Sequence, residues 1–203
     1  MTSHAERTGD TASDVVLYAA VSLDGYLAEA DDGLAFLDAV VDAGQTYEQF
    51  YAGVSALLMG RRTYDIARTV PDWPYPGLPC TVVTSQHLDG LPPGVSTDDG
   101  SDLPALVTRM RRHGRVWVVG GGLLVRQLLA HGLLDELDLT LTPHVLGDGI
   151  CLWGAGTGRQ RLELVQVSEP GAGTVRVRYR VCLLYTSDAA DDNRVVVVGG
   201  GGG

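Results

Sequence analysis

The stretch from Arg115 to Leu152 constrains this chain more tightly than any other. An apolar run, Val116 to Val119, meets three consecutive glycines, Gly120, Gly121 and Gly122. A helical pattern follows, with Leu124, Leu128 and Leu129 on one face and His131-Gly132 as its stop. Leu137, Leu139 and Leu141 then alternate with Asp138, Thr140 and Thr142, as in a strand with two distinct faces. The order is strand, glycine turn, helix, strand. Glycines at such a turn let a ligand approach the backbone, and free N–H groups at a helix start favour a phosphate. Three glycines in a row are not the spaced fingerprint of dinucleotide sites, so a tight turn without a ligand explains the same residues.

A chain of 203 residues suffices for one substantial domain, and 45% hydrophobic with 20% charged residues reads as globular. The sequence holds no apolar run of bilayer-spanning length and no secretory signal at its start, so the expectation is a cytoplasmic protein without membrane contact. A net charge of −10 argues against nucleic acid as a partner, because phosphate backbones need a basic stripe. It leaves room for one small anion held by a few arginines. All 15 basic residues are arginine, which removes the Walker-type phosphate loop, the Schiff-base lysine and the lysine general base. Cys80, Cys151 and Cys182 lack metal-ligand spacing and the five histidines are scattered, so no metal is expected.

Taken in order, residues 1–14 are polar and without period and read as a disordered leader. Val15 to Val21 is a nearly continuous apolar run, as in a strand buried on both faces, and its Ala19-Ala20 pair either leaves room for a flat ring or simply packs. It breaks at the turn Ser22-Leu23-Asp24-Gly25. Glu29, Asp31 and Asp32 follow, either as general acids or as caps of a helix carrying Leu34, Phe36 and Leu37. Thr46 to Gln49 fits a capping box. Val54 to Met59 is the next strand and runs into Gly60-Arg61-Arg62-Thr63, two guanidinium groups and a hydroxyl at a helix start, suited to a phosphate or simply solvated. The proline-rich loop Val70 to Pro79 carries Trp73 and Tyr75, which either line a pocket or cover an edge. Cys80 to Thr84 is a strand ending in Thr84-Ser85, and Ser101 caps a helix bearing Leu103, Leu106, Val107 and Met110. Leu162 to Val167 and Val175 to Val181 form a hairpin about a Pro170-Gly171 turn, with Arg176, Arg178 and Arg180 on its wet face.

Strands alternating with helices before a terminal hairpin predict an α/β fold with a mostly parallel central sheet covered on both sides. Four strands end in small or polar residues, and ligands of such sheets bind at the carboxyl ends of strands.

The segments SLDGYLA, MGRRTYD, WPYPGLPCTVVTS and VWVVGGGLLVRQLLAHGLLDELDLTLTPHVLGDGICLW, in this order, resemble the dihydrofolate reductase superfamily. The likeness is strongest to the reductase domain of the bacterial bifunctional riboflavin-biosynthesis deaminase–reductase, and it covers Val15 to Val181. It implies a dihydrofolate-reductase-like three-layer sandwich, NADPH as hydride donor, a small-molecule substrate that is pterin-like or ribosylaminouracil-like, and a homodimer. By motif, Ala20 would touch the nicotinamide. Gly60, Arg61 and Thr63 would hold phosphates, with Arg61 and Ser85 near the 2′-phosphate and Thr84 also in contact with the cofactor. Gly121, Gly122 and Leu123 would carry the pyrophosphate, with Gly120 also in contact with the cofactor. Asp24 and Asp32 are the candidate catalytic acids, water being the other proton source, and Trp73 and Tyr75 would contact the substrate.

The substrate half departs from the family pattern. Ala30-Asp31-Asp32-Gly33 stands where dihydrofolate reductases carry a Pro-Trp segment and then the catalytic carboxylate. Val119 stands where the riboflavin-pathway reductases, which act on 5-amino-6-(5-phosphoribosylamino)uracil, usually place a glutamate. No deaminase-like zinc signature precedes the domain, which implies a stand-alone reductase. A module that binds NADPH without turnover is the alternative, and a partner protein with a degenerate site is a third reading. The tail 182–203, CLLYTSDAADD onward, resembles translated sequencing-adapter read-through, so the natural chain is expected to be interrupted near Val181. A purposeful glycine-rich tail is the other reading.

Overall fold

The computed structural model describes residues 13–40, 46–154 and 157–182. The expectations for a leader and for an adapter-like tail fall almost entirely outside these residues. In chain order the elements are β1 (Val15–Val21), β2 (Tyr26–Ala28), a 3₁₀ turn (Ala35–Ala39), α1 (Thr46–Ala52), β3 (Val54–Gly60) and α2 (Arg61–Ala67). They continue with β4 (Cys80–Val83), β5 (Val95–Asp98), α3 (Leu103–Arg111), β6 (Arg115–Gly120), α4 (Gly122–Ala130) and β7 (Glu136–Leu141). The last are β8 (Ile150–Cys151), β9 (Arg161–Gly171) and β10 (Thr174–Cys182).

Eight strands form one sheet in the order β5-β4-β3-β6-β1-β7-β10-β9. The first six run parallel, β10 joins β7 antiparallel, and β9 closes the edge against β10. β2 and β8 make a separate two-stranded antiparallel ribbon. The expected α/β architecture is therefore present. Among the described residues no helix is long and apolar enough to cross a membrane.

Central position explains the continuous apolar run of β1. Val15, Leu17 and Val21 face a core built with α3 and α4, including Leu106, Val107, Val125 and Leu128. Val16 faces the opposite core with Phe50, Leu57, Met59, Tyr64 and Trp117. Both sides of the strand are dry, so alternation disappears from its sequence.

One strand of the eight-stranded sheet has no counterpart in the sequence analysis, and three local expectations change. β5 reads VSTD, too polar to announce itself as a strand, and it forms because Cys80 to Val83 offer a paired edge. Asp102, not Ser101, caps α3, its carboxylate accepting from the Ala105 N–H at 2.9 Å. The hairpin turns at Ala172-Gly173 rather than Pro170-Gly171, with φ of 50° and 74°. Two left-handed residues are what a two-residue loop between twisted strands requires. Finally, Arg176 and Arg178 are not a solvated face. Arg176 forks onto Asp138 at 2.7 and 2.6 Å and lies over the Tyr18 ring, while Arg178 reaches Glu136 at 3.0 Å. Register explains it, because Arg176 and Arg178 sit opposite Thr140 and Asp138 on the side of the sheet that Tyr18 occupies.

The turn after β1 anchors a distant segment. The Ser22 hydroxyl donates to Asp24 at 2.6 Å, and the Leu146 and Gly147 N–H groups donate to the same carboxylate at 3.1 and 2.8 Å. The Leu23 N–H adds a bond to the His144 carbonyl at 2.7 Å. The Ser22 hydroxyl foremost, with the two N–H donors, lowers the Asp24 pKa to about 2. A depressed carboxylate stabilises above its unfolded value and loses that contribution as pH falls through the folded one. We therefore expect Asp24→Ala to raise hydrogen-exchange rates of the Leu146 and Gly147 amides several-fold at neutral pH, read by mass spectrometry. Wild type should lose the same protection between about pH 4 and pH 2. Unaltered exchange in the variant would show that the carboxylate does not hold this segment.

Candidate functional site

The carboxyl ends of β1, β3, β4 and β6 come together along one rim of the sheet, and two cavities open there. The larger, about 800 Å³, is a cleft. Its wall takes Gly60, Arg61 and Thr63 from the β3–α2 junction, and Thr84 and Ser85 from the end of β4. Gly121, Gly122 and Leu123 come from the β6–α4 junction. Residues scattered over sixty positions are thus gathered into one groove by parallel strand order alone. Gly120 is buried behind it and Ala20 borders the second cavity.

Local chemistry shapes each junction. Gly121 is the N-cap of α4 in extended conformation (φ −94°, ψ −176°) and provides no capping side chain, so no side chain competes for the first N–H groups of α4. A Cβ at Gly122 would collide with the Cys151 carbonyl oxygen, so only glycine lets β8 pass over the start of this helix. A Cβ at Gly121 would make an ordinary contact, 3.4 Å from the Thr63 hydroxyl, and would fill cleft space instead.

Arginines set the electrostatics. Arg61 donates from Nε to Asp65 at 2.7 Å and from Nη1 to Gln86 at 3.0 Å, while Gln86 N–H donates to the Thr84 hydroxyl at 3.1 Å. The guanidinium is thereby held in place on the wall of the cleft that Ser85 also lines. Arg126 also borders the cleft and makes no hydrogen bond or ion pair within the described residues. The sequence reading missed Arg126, Asp65 and Gln86. Arg126 could have been found, since it lies four residues after Gly122 on the same helical face.

The second cavity, about 400 Å³, is walled mainly by apolar and aromatic groups, among them Ala20, Leu37, Ile66, Tyr75, Trp117 and Val119. Trp117 packs edge-on against Tyr75, with ring centroids 5.3 Å apart, and donates its indole N–H to the Tyr18 carbonyl oxygen at 2.9 Å. Burial pushes the Tyr75 hydroxyl pKa upward, so this group stays neutral. Arg62, Thr63, Gly121 and Ile150 border both cavities and form their shared wall. Asp32 borders the second cavity and accepts from Arg62 Nε at 2.6 Å. No side-chain cap precedes the 3₁₀ turn at Ala35–Ala39, so the acidic loop does not serve as its cap.

Two expected residues lie elsewhere. Asp24 borders neither cavity, its carboxylate being occupied by the turn it closes. Trp73 packs on Tyr64 and Tyr75 and lines a third cavity with Arg68, so of the loop's two expected aromatic residues Tyr75 alone borders the second cavity, beside Val70 and Pro74. Cys80 is buried, its thiol pushed up to about 12, and provides no thiolate. Among the described residues no group of three or more His, Cys, Asp or Glu side chains is placed to hold a metal.

The chain is similar to several known proteins in sequence and fold. The family model of the RibD C-terminal domain matches residues 13–176. YwjB of Bacillus subtilis, an uncharacterised protein, is 33% identical over 153 residues, spanning 73% of this chain and 87% of its own. A structure from Shewanella sp. PV-4 ascribed to riboflavin biosynthesis superposes with a TM-score of 0.71 at 23% identity, covering 84% of this chain and 99% of the other. Dihydrofolate reductase of Enterococcus faecalis, complexed with NADP(H), shares the fold at a TM-score of 0.56 and 14% identity, over 83% of this chain and 96% of its own. With the matched segment running through every strand that borders the two cavities, this chain belongs to the RibD C-terminal domain family.

Proposed function

We propose that this chain is an NADPH-dependent reductase of a small heterocyclic substrate. One observation carries the reading: an arginine-bearing cleft and an apolar cavity share a wall at Thr63 and Gly121, and Ala20 borders the apolar side. The donor set suits a dinucleotide phosphate. Arg61 is fixed by Asp65 and Gln86 on the cleft wall that Ser85 also lines, a placement that favours a 2′-phosphate. Arg126 and the start of α4 with its small Gly121 and Gly122 suit the pyrophosphate. The enterococcal relative in fold is a reductase complexed with NADP(H), which supports the same cofactor here.

When bound, the reduced nicotinamide supplies a hydride. The chain's own contribution is to position and to exclude water. Ala20 leaves space against the sheet, Thr63 and Gly121 separate the two compartments, and Tyr75 with Trp117 holds a flat ring. Of the two candidate acids, Asp32 is the one beside the cavity, and its ion pair with Arg62 commits it to positioning. We assign the proton to solvent.

The family resemblance also implies a homodimer, and we place its surface on β9. This sheet-edge strand leaves Leu162, Leu164 and Val167 exposed on the side of Val177 and Tyr179, Leu164 and Val167 each at 54%. An open edge carrying an apolar row pairs readily with a copy of itself about a twofold axis.

Two measurements test these readings. In a fluorescence titration of the full chain, NADPH should bind at least about tenfold tighter than NADH, roughly 1.4 kcal/mol. Arg61→Gln should erase that preference, and Gly121→Ala should keep the fold by circular dichroism while weakening both cofactors. A folded protein that binds neither nucleotide would end the reductase reading. Light scattering coupled to gel filtration should give a dimer for wild type and a monomer for Leu164→Glu; a monomeric wild type would remove the β9 interface.

A further inference from the structure

The apolar cavity is electrically neutral by construction. Among its described lining residues Arg62 is the single cation, and Asp32 is the single anion. They face each other at 2.6 Å, both partly open to solvent. Asp32 holds a left-handed backbone with φ of 69°, a conformation aspartate tolerates better than most residues. The rest of its described wall adds no further charge. The Trp117 indole N–H is taken by the Tyr18 carbonyl oxygen, and Tyr75 remains neutral. Arg61 and Arg126 border only the cofactor cleft, on the far side of the Thr63–Gly121 wall.

We infer that this cavity selects an uncharged planar ring and rejects a phosphorylated one, with the Arg62–Asp32 pair as the selecting element. The inference deepens the proposed reductase function and rests on it for the word substrate. A buried anion is tolerated only when paired. Here Asp32 takes Arg62 Nε and balances its charge, so a phosphate that approaches the remaining guanidinium N–H groups also meets a carboxylate of its own sign. Discrimination of this kind comes from the repulsive partner rather than from a better attraction. A neutral two-ring compound meets no such obstacle and gains ring contact with Tyr75 and Trp117. The phosphoribosylaminouracil substrate that the family resemblance implies is thereby disfavoured, and an uncharged heterocycle or quinone takes its place.

The test uses a matched pair, 2-naphthol and 2-naphthyl phosphate, titrated calorimetrically into the full chain saturated with NADP⁺, so that the cleft is filled. 2-Naphthol should bind at least about tenfold tighter. Asp32→Asn removes the repelling carboxylate, releases Arg62 and should narrow that ratio by about threefold or more. Adding Arg62→Gln to that variant should restore it, because the released cation is then gone. Equal or tighter binding of the phosphate by wild type, binding of neither ligand, or a ratio unmoved by Asp32→Asn would each overturn the inference. NADP⁺ is titrated alone first. Should it fail to bind, the reductase reading falls, and the same tenfold order is then required of the two ligands on the free protein.

Discussion

The site depends on how closely two stretches of backbone pass each other at the start of α4. Gly122 lies against the Cys151 carbonyl oxygen, at a separation no side chain would allow. That contact lets Ile150 and Cys151 lie across the carboxyl ends of the parallel strands. Ile150 then borders both cavities and Cys151 the cleft. A second tight spot repeats the device, since a Cβ at Gly149 would strike the Ala28 carbonyl oxygen. Between them, β2 and β8 pair at Tyr26–Cys151 and Ala28–Ile150, and the Asp24 carboxylate ties down the segment leading into β8. The cover of the site is thus fixed by backbone proximity, and glycine is the residue that permits it.

Beneath that cover the sheet is organised by β1, whose two faces separate the cores. One core, with α3 and α4, is almost entirely aliphatic. The other is aromatic, with Tyr18 stacked on Phe50 at 4.1 Å and Trp117 meeting both rings edge-on. The aromatic side ends in the apolar cavity at the carboxyl ends of the strands, so the core and the pocket are continuous. Toward β10 the same side ends in a buried ion pair, Asp138 with Arg176, the aspartate side chain 4% exposed. Such a pair gains little over an apolar replacement, yet removing one partner commonly costs about 3–5 kcal/mol. Its bidentate geometry fixes the register of the antiparallel addition to the parallel sheet.

Much of the site was legible because parallel sheets put function at strand ends, and strand ends announce themselves by a change of residue type. Gly60-Arg61, Thr84-Ser85 and Gly121-Gly122 each stand where an apolar run stops, and each borders the cleft. The partners that orient them were not legible. Asp65 and Gln86 act on Arg61 from positions 4 and 25 residues away, and only the second distance needs a fold to be closed. Asp24 and Asp32 look alike in sequence, acidic residues in a loop after a strand. One is occupied by N–H groups from more than a hundred residues downstream, and the other meets an arginine 30 residues on. Trp73 and Tyr75 are neighbours in one loop and still face different cavities.

By itself the sequence determined the fold class, the buried centre of the sheet and the glycines of the β6–α4 turn. These are properties of period and of local conformation, which few neighbouring residues decide. The tertiary structure alone decided that β5 exists, that the hairpin turns at Ala172-Gly173, and that the arginines of β10 are paired. It also decided which carboxylate faces a cavity and which one closes a turn. Hydrogen bonds and ion pairs reach only about 3 Å, so their partners are set by which segments the packed core brings side by side.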